Sequence, residues 1–176
     1  MTEKQIAKNR TLCAIGAFVV VVSLLLILEC FIGNISRVDG NSMYPTLHDG
    51  DVLIETQLVT PQVGDIVSFS SDIVENDDGR FVKRIIAQEG DHLVICDSRV
   101  YINDTLLNET YILESSFEGD IDIVIPKGTC FVMGDNRNDS LDSRDFGVIN
   151  LDDITGIVLD FCIREGEDRY EDDINN

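Results

Sequence analysis

Residues 11–28 carry no charged side chain, and Val, Leu, Ile, Ala and Phe dominate them. As a helix at 1.5 Å per residue, about 18 such residues reach about 27 Å. A bilayer core is about 30 Å thick, and Cys30-Phe31-Ile32 extends the run into the interface. Glu29 then falls near the far headgroups. A cleaved leader has a shorter apolar part, about 7–15 residues, followed by a small-x-small site. Glu29-Cys30-Phe31-Ile32 offers no such site, so the expectation is a retained transmembrane anchor over residues 11–32. Lys4, Lys8 and Arg10 precede the run, whereas only Arg37 follows it closely. The positive-inside rule then places residues 1–10 in the cytoplasm and the rest outside. With no second run of that length, the expected topology is single-pass.

The formal net charge is −20, and the basic N-terminus leaves the body still more acidic. Such a body argues against nucleic acid and anionic lipid as partners, although solubility alone accounts for the charge. The tail at residues 166–176 reads as a solvated end. Cys13, Cys30, Cys96, Cys130 and Cys162 form no CxxC spacing, so neither a zinc site nor a redox motif is expected. Buried thiols acting as small apolar side chains are the expectation.

After the anchor the pattern changes to short β-type runs broken by turn residues. Such runs fall at 51–55, 65–69, 81–87, 92–96, 99–102, 105–107, 121–125, 129–133 and 155–164. Asn103-Asp104 reads as a two-residue hairpin turn. The expected fold is all-β: a coiled, barrel-like sheet over residues 33–165, preceded by one N-terminal transmembrane helix.

Three segments carry candidate chemistry. Ser42 lies in Gly40-Asn41-Ser42-Met43-Tyr44-Pro45-Thr46-Leu47, shortly after the anchor. A serine hydroxyl attacks an amide only with help from a base. His48 and His92 are the chain's histidines, and both read as polar turn residues rather than as members of a Ser-His triad. Lys83 is the other option, in Phe81-Val82-Lys83-Arg84-Ile85-Ile86-Ala87. A strand puts Phe81, Lys83 and Ile85 on one face and Val82, Arg84 and Ile86 on the other. Apolar neighbours favour a neutral amine at Lys83, because burial lowers a lysine pKa. The plain alternative is a solvated basic spot at Lys83-Arg84. The third segment, residues 134–144, is dense in Asp, Asn, Arg and Ser. It is either a hydrophilic turn or an ion-pair network of Asp135, Arg137, Asp142 and Arg144 that fixes a loop beside an active site.

Taken in order behind the anchor, these segments resemble bacterial type I signal peptidases. The matching residues are Ser42-Met43-x-Pro45-Thr46-Leu47, Gly64-Asp65, Lys83-Arg84-x-x-Ala87-x-x-Gly90-Asp91 and the run from Gly134 to Arg144. The resemblance reaches from the anchor to about residue 160. It implies a Ser/Lys dyad with Ser42 as nucleophile and Lys83 as general base. Ser140 matches the hydroxyl that orients the lysine. Asp142 with Arg144, and Asp135 with Arg84, match supporting salt bridges. Val38, Met43, Leu47, Phe81 and Val82 match shallow apolar pockets. The implied substrates are secretory preproteins with small residues at −1 and −3, cleaved outside the cytoplasmic membrane without metal or organic cofactor. Some relatives carry a serine two residues before the nucleophile, where this chain has Gly40, a form similar to Gram-positive enzymes. That leaves the backbone N–H of Ser42 as the main expected oxyanion donor, with that of Gly40 as the candidate second. Lys83 argues against the ER-type branch, which uses histidine. Other readings are a Ser/Lys peptidase for pilus or conjugation precursors, and a catalytically inactive membrane-tethered β-module that binds exported chains.

Overall fold

The computed structural model describes residues 3–31, 34–70 and 80–163. Helix α1 (Glu3–Phe31) leads into the body. Its described side chains, at 5, 10 and 12–24, are exposed. Among the described residues no helix is long and apolar enough to cross a membrane. Part of the anchor expectation therefore lies outside the described residues, as does the acidic tail.

The body is mostly β. The strands are β1 (Asn34–Arg37), β2 (Val52–Thr56), β3 (Ile66–Ser70), β4 (Arg80–Gln88), β5 (His92–Cys96), β6 (Arg99–Ile102), β7 (Thr105–Leu106), β8 (Ile121–Val124), β9 (Thr129–Met133), β10 (Ile149–Asn150) and β11 (Ile154–Ile163). One antiparallel sheet has the order β1-β2-β11-β3-β4-β9-β10, and a smaller one has β7-β6-β5-β8. Curling of the large sheet follows from its long members. β4 shifts register between Ile85 and Ala87, and β11 shifts twice. Bulges of this kind bend a strand and increase its twist.

The alternation read from the sequence positions the core. Val82 packs with Val38, Met43, Leu47 and Leu53 on one face of the large sheet. Phe81 and Ile85 pack on the other, with Val67, Phe69 and Val132. Beyond the β4 bulge, Ile86 and Ala87 both join a cluster with Leu93, Ile95, Phe117 and Phe131, which seats the small sheet on the large one. Asn103 and Asp104 both have positive φ, at 50° and 64°, as a type I′ hairpin requires. Asp97 and Ser98 repeat that geometry one hairpin earlier.

Several short elements escaped the sequence reading. β1 and β10 are too short to show a period. The one-turn helix α2 (Ser143–Phe146) lies inside the polar loop and is specified by a capping box at Asp142, not by an apolar stripe. The cysteines also divide. Cys130 is buried, and burial pushes its thiol up to about 12. Cys96 is half-buried, and Cys13 is exposed because it lies on α1, so it is not a core residue. The side chains of Cys30 and Cys162 lie outside the described residues.

Phe69 is fully buried and stacks on Phe81, their ring centroids 5.5 Å apart. Phe69→Ala should cost roughly 3–5 kcal/mol, read as a lower denaturant midpoint of the β body.

Candidate active site

The nucleophile candidate sits where the chain turns back from β1 to β2. Val38 N–H donates to Asp51 O and Gly50 N–H to Val38 O, prolonging the ladder beyond Arg37. Gly40 then takes φ +86°, which strains an L side chain, so the glycine serves the backbone path. The Tyr44 N–H closes a turn onto Asn41 O at 3.0 Å and leaves Ser42 half-buried at its crest.

Lys83 arrives from the sheet. Its Cα pairs with that of Val67 across β3, and its side chain is 4% exposed. Nζ lies 2.7 Å from Ser42 Oγ and 3.0 Å from Val82 O. Burial lowers its pKa from the ordinary lysine value to about 8, against the opposing charges of Asp142 and Asp135. A neutral amine here can keep one N–H on Val82 O and turn its lone pair to the Ser42 hydroxyl. The solvated-spot reading of Lys83-Arg84 is thereby overturned. The histidines stand apart from Ser42, as expected. His92 pairs with Asp122 on the surface at 2.8 Å, His48 packs edge-on against Tyr44, and neither bonds to Ser42.

The polar loop forms the third wall. Arg84 grips fully buried Asp135 through Nε–Oδ1 at 2.8 Å and Nη2–Oδ2 at 2.7 Å. Burial works against the Arg84 cation, but the bond and charge of Asp135 outweigh it and raise its pKa. Asp142 is likewise held by Arg144, at 2.8 Å on each oxygen, and accepts the Gly134 N–H at 3.0 Å. Both pairs match the sequence expectation. Arg137 does not: it is bonded to Glu109, a residue the sequence reading passed over. Glu109 comes from the connection after β7, which also lays Tyr111 against Arg84, 4.1 Å from guanidinium carbon to ring centroid. Burial raises the Tyr111 phenol, and the Glu109 charge adds to that. No periodicity marks these residues, because their partners come from distant segments.

The loop also touches the nucleophile's backbone. Asn136 N–H donates to Ser42 O at 3.1 Å, and Asn136 Nδ2 donates to Asn41 O at 3.1 Å. Gly134 lets the segments approach: a Cβ there would lie 2.4 Å from Ser42 O and 2.3 Å from Ser140 Oγ. Ser140 is thus beside the site, but its Oγ is buried without a hydrogen-bond partner and is not bonded to Lys83. Its expected orienting contact is not made. The expected second oxyanion donor fails as well, since Gly40 N–H already donates to Asp49 Oδ1 at 2.9 Å.

A groove of about 500 Å³ opens at the pair, lined on one side by residues 36–39 and on the other by residues 80–83. Val38, Met43, Phe81 and Val82 line it as expected. Leu47 instead lies beneath it in the core, because the Met43–Leu47 turn points its side chain at Leu53. Ser36, Ser68 and Arg80 also line the groove, unforeseen from sequence. Both walls have an open strand edge. β1 is the outer strand of the sheet, and β9 pairs with β4 only from Arg84 onward. A second depression, about 320 Å³ between Thr56 and Ile157, lies away from Ser42 and Lys83. Among the described residues no group of three His, Cys, Asp or Glu side chains could hold a metal ion.

A curled antiparallel sheet that joins a serine hydroxyl to a buried lysine amine, beside an open groove, has the parts of a Ser/Lys hydrolase. The comparisons narrow this class. The family described as signal peptidase, peptidase S26, matches residues 11–161. Signal peptidase I T of Bacillus subtilis is 36% identical over 153 residues, covering 80% of this chain and 79% of that protein. Signal peptidase I of Bacillus licheniformis is 34% identical over 171 residues, covering 89% and 91%. The chain spans only 39% of a probable thylakoidal processing peptidase of Arabidopsis thaliana, at 33% identity over 77% of this chain. The crystal structure of a signal peptidase I from Enterococcus faecalis superposes with a TM-score of 0.52 at 28% identity, covering 58% of this chain and all of that one. The chain belongs to the signal peptidase family, peptidase S26.

Lys83 titrates at about 8 in the fold and near the ordinary lysine value when unfolded. Between those values the unfolded state binds more protons, so stability rises with pH there. Lys83→Met should flatten that rise, measured as denaturation midpoints from pH 7 to 10.5.

Proposed function

We propose that this chain is a membrane-anchored serine endopeptidase that removes signal peptides from secreted preproteins through a Ser42/Lys83 dyad. The observation that carries the reading is the 2.7 Å approach of Ser42 Oγ to an amine whose pKa burial lowers to about 8. Ser42 Oγ attacks the scissile carbonyl while neutral Lys83 takes its proton. The resulting ammonium protonates the departing amine, leaving an acyl-enzyme. Lys83 then accepts a proton from water, whose oxygen releases the acyl group and restores the serine. In this reading the Ser42 backbone N–H serves as oxyanion donor. Asp135–Arg84 with Asp142–Arg144 keep the loop in place.

The substrate lies extended in the groove, adding a strand between the open edges of β1 and β4. Backbone bonds supply affinity, and Val38, Met43, Phe81 and Val82 limit the −1 side chain to a small one. The anchor is residues 11–32, with residues 1–10 cytoplasmic and the catalytic body, 33–165, on the extracytoplasmic side. Support comes from the uncharged run at 11–28 and from exposed Leu12, Ile15, Phe18 and Leu24, an apolar surface that lipid would cover.

A preprotein with Ala at −1 and −3 should be cleaved by the wild type and left intact by Ser42→Ala and Lys83→Ala. Equal processing by all three would sink the dyad. Because the base must be neutral, kcat/KM should rise about tenfold per pH unit below about 8 and level off above it. A profile flat from pH 6 to 10 points to another base.

A further inference from the structure

The groove changes character along its length. Near Ser42 it is walled by Val38 and Met43. At its other end it is walled by Ser36, Ser68 and Arg80. Beneath that end lies Glu55, whose side chain is wholly buried. Both serine hydroxyls donate to Glu55 Oε1, Ser68 at 2.6 Å. Arg80 stands 3.7 Å from Oε2, too far for a hydrogen bond, and Oε2 has no hydrogen-bond partner. Gly156 makes room for this carboxylate, since a Cβ there would lie 2.7 Å from Oε2.

This wiring has a direction. A hydroxyl has one proton and two lone pairs. Ser36 and Ser68 spend their protons on Glu55, so they present only lone pairs to the groove. The polar end therefore asks for a donor. A cationic side chain is disfavoured by Arg80, and the small residue expected at −3 then leaves a hydroxyl as the donor.

Register says which substrate residue meets it. Ser36 and Val38 are two residues apart along β1, and Ser68 pairs with Val82 on β4, so their side chains share a face. In an extended substrate, alternate side chains also point to one face. With the −1 side chain at Val38, the −3 side chain falls at Ser36 and Ser68. We propose that Ser36, Ser68 and Glu55 form a hydrogen-bonding −3 subsite selective for serine or threonine. This rests on the proposed peptidase reading, and it narrows the small residue expected at −3 to one that carries a hydroxyl.

The test uses the full chain in detergent and peptides with Ala at −1 and Ala, Thr or Val at −3. Thr and Val have nearly the same shape, so their ratio isolates the hydroxyl. One hydrogen bond predicts kcat/KM for Thr about five- to tenfold above Val. Ser68→Val should reduce that ratio to one or below. Ser36→Ala, on the edge strand, should lower it several-fold and serves if Ser68→Val does not fold. Val processed as fast as Thr by the wild type overturns the subsite alone, provided the Ala peptide is cleaved and Ser42→Ala abolishes that cleavage. Failure to cleave any of the three peptides overturns both readings.

Discussion

The site depends on keeping one lysine amine out of water while two carboxylates stand nearby. Asp135 and Asp142 each favour a charged Lys83 and would make it useless as a base. Their influence is limited because each is gripped on both oxygens by its own guanidinium, Asp135 by Arg84 and Asp142 by Arg144. Burial then wins, and the amine's pKa falls to about 8. Strand alternation supplies the burial: Phe81 and Ile85 flank Lys83 on its face of β4, while Arg84 turns to the opposite side.

The charged loop is therefore more than a support. Asp142 caps α2, binds Arg144 and fixes the Gly134 N–H, so one carboxylate sets the path from β9 to β10. Asn136 ties that path to the carbonyls of Asn41 and Ser42. Arg137 and Glu109 bring in the connection after β7, and Tyr111 from the same connection covers Arg84. A buried polar network must satisfy nearly all its members to be tolerated. The exceptions here, Ser140 Oγ, Asn41 Oδ1 and Asn136 Oδ1, gather around the nucleophile, where a substrate could complete them.

Much of this was legible beforehand. The long strands announced themselves by alternation, and Asn103-Asp104 by its turn chemistry. Ser42 and Lys83 stood out as residue types needing explanation, and the Arg84–Asp135 and Arg144–Asp142 pairs were implied by the family resemblance. Glu109, Glu55 and Asn136 did not, since a carboxylate or amide in a connecting segment looks the same whether solvated or buried. Gly40 was misread in one respect: its N–H looked available because the sequence does not show that Asp49 reaches back to it.

What the sequence by itself determined is local: the apolar run at 11–28, the β periodicity, the tight turns and the apolar flanks of Lys83. These follow from side chains within a few positions of one another. The tertiary structure alone decided the pairing of Ser42 with a lysine 41 residues away. It also decided the partner of Arg137, the burial of Leu47 beneath the groove and the hydroxyl-lined end over Glu55. Each of these depends on which strands become neighbours as the sheet curls. That is set by the summed packing of three apolar clusters and the bulges in β4 and β11, not by any residue's own neighbours in the chain.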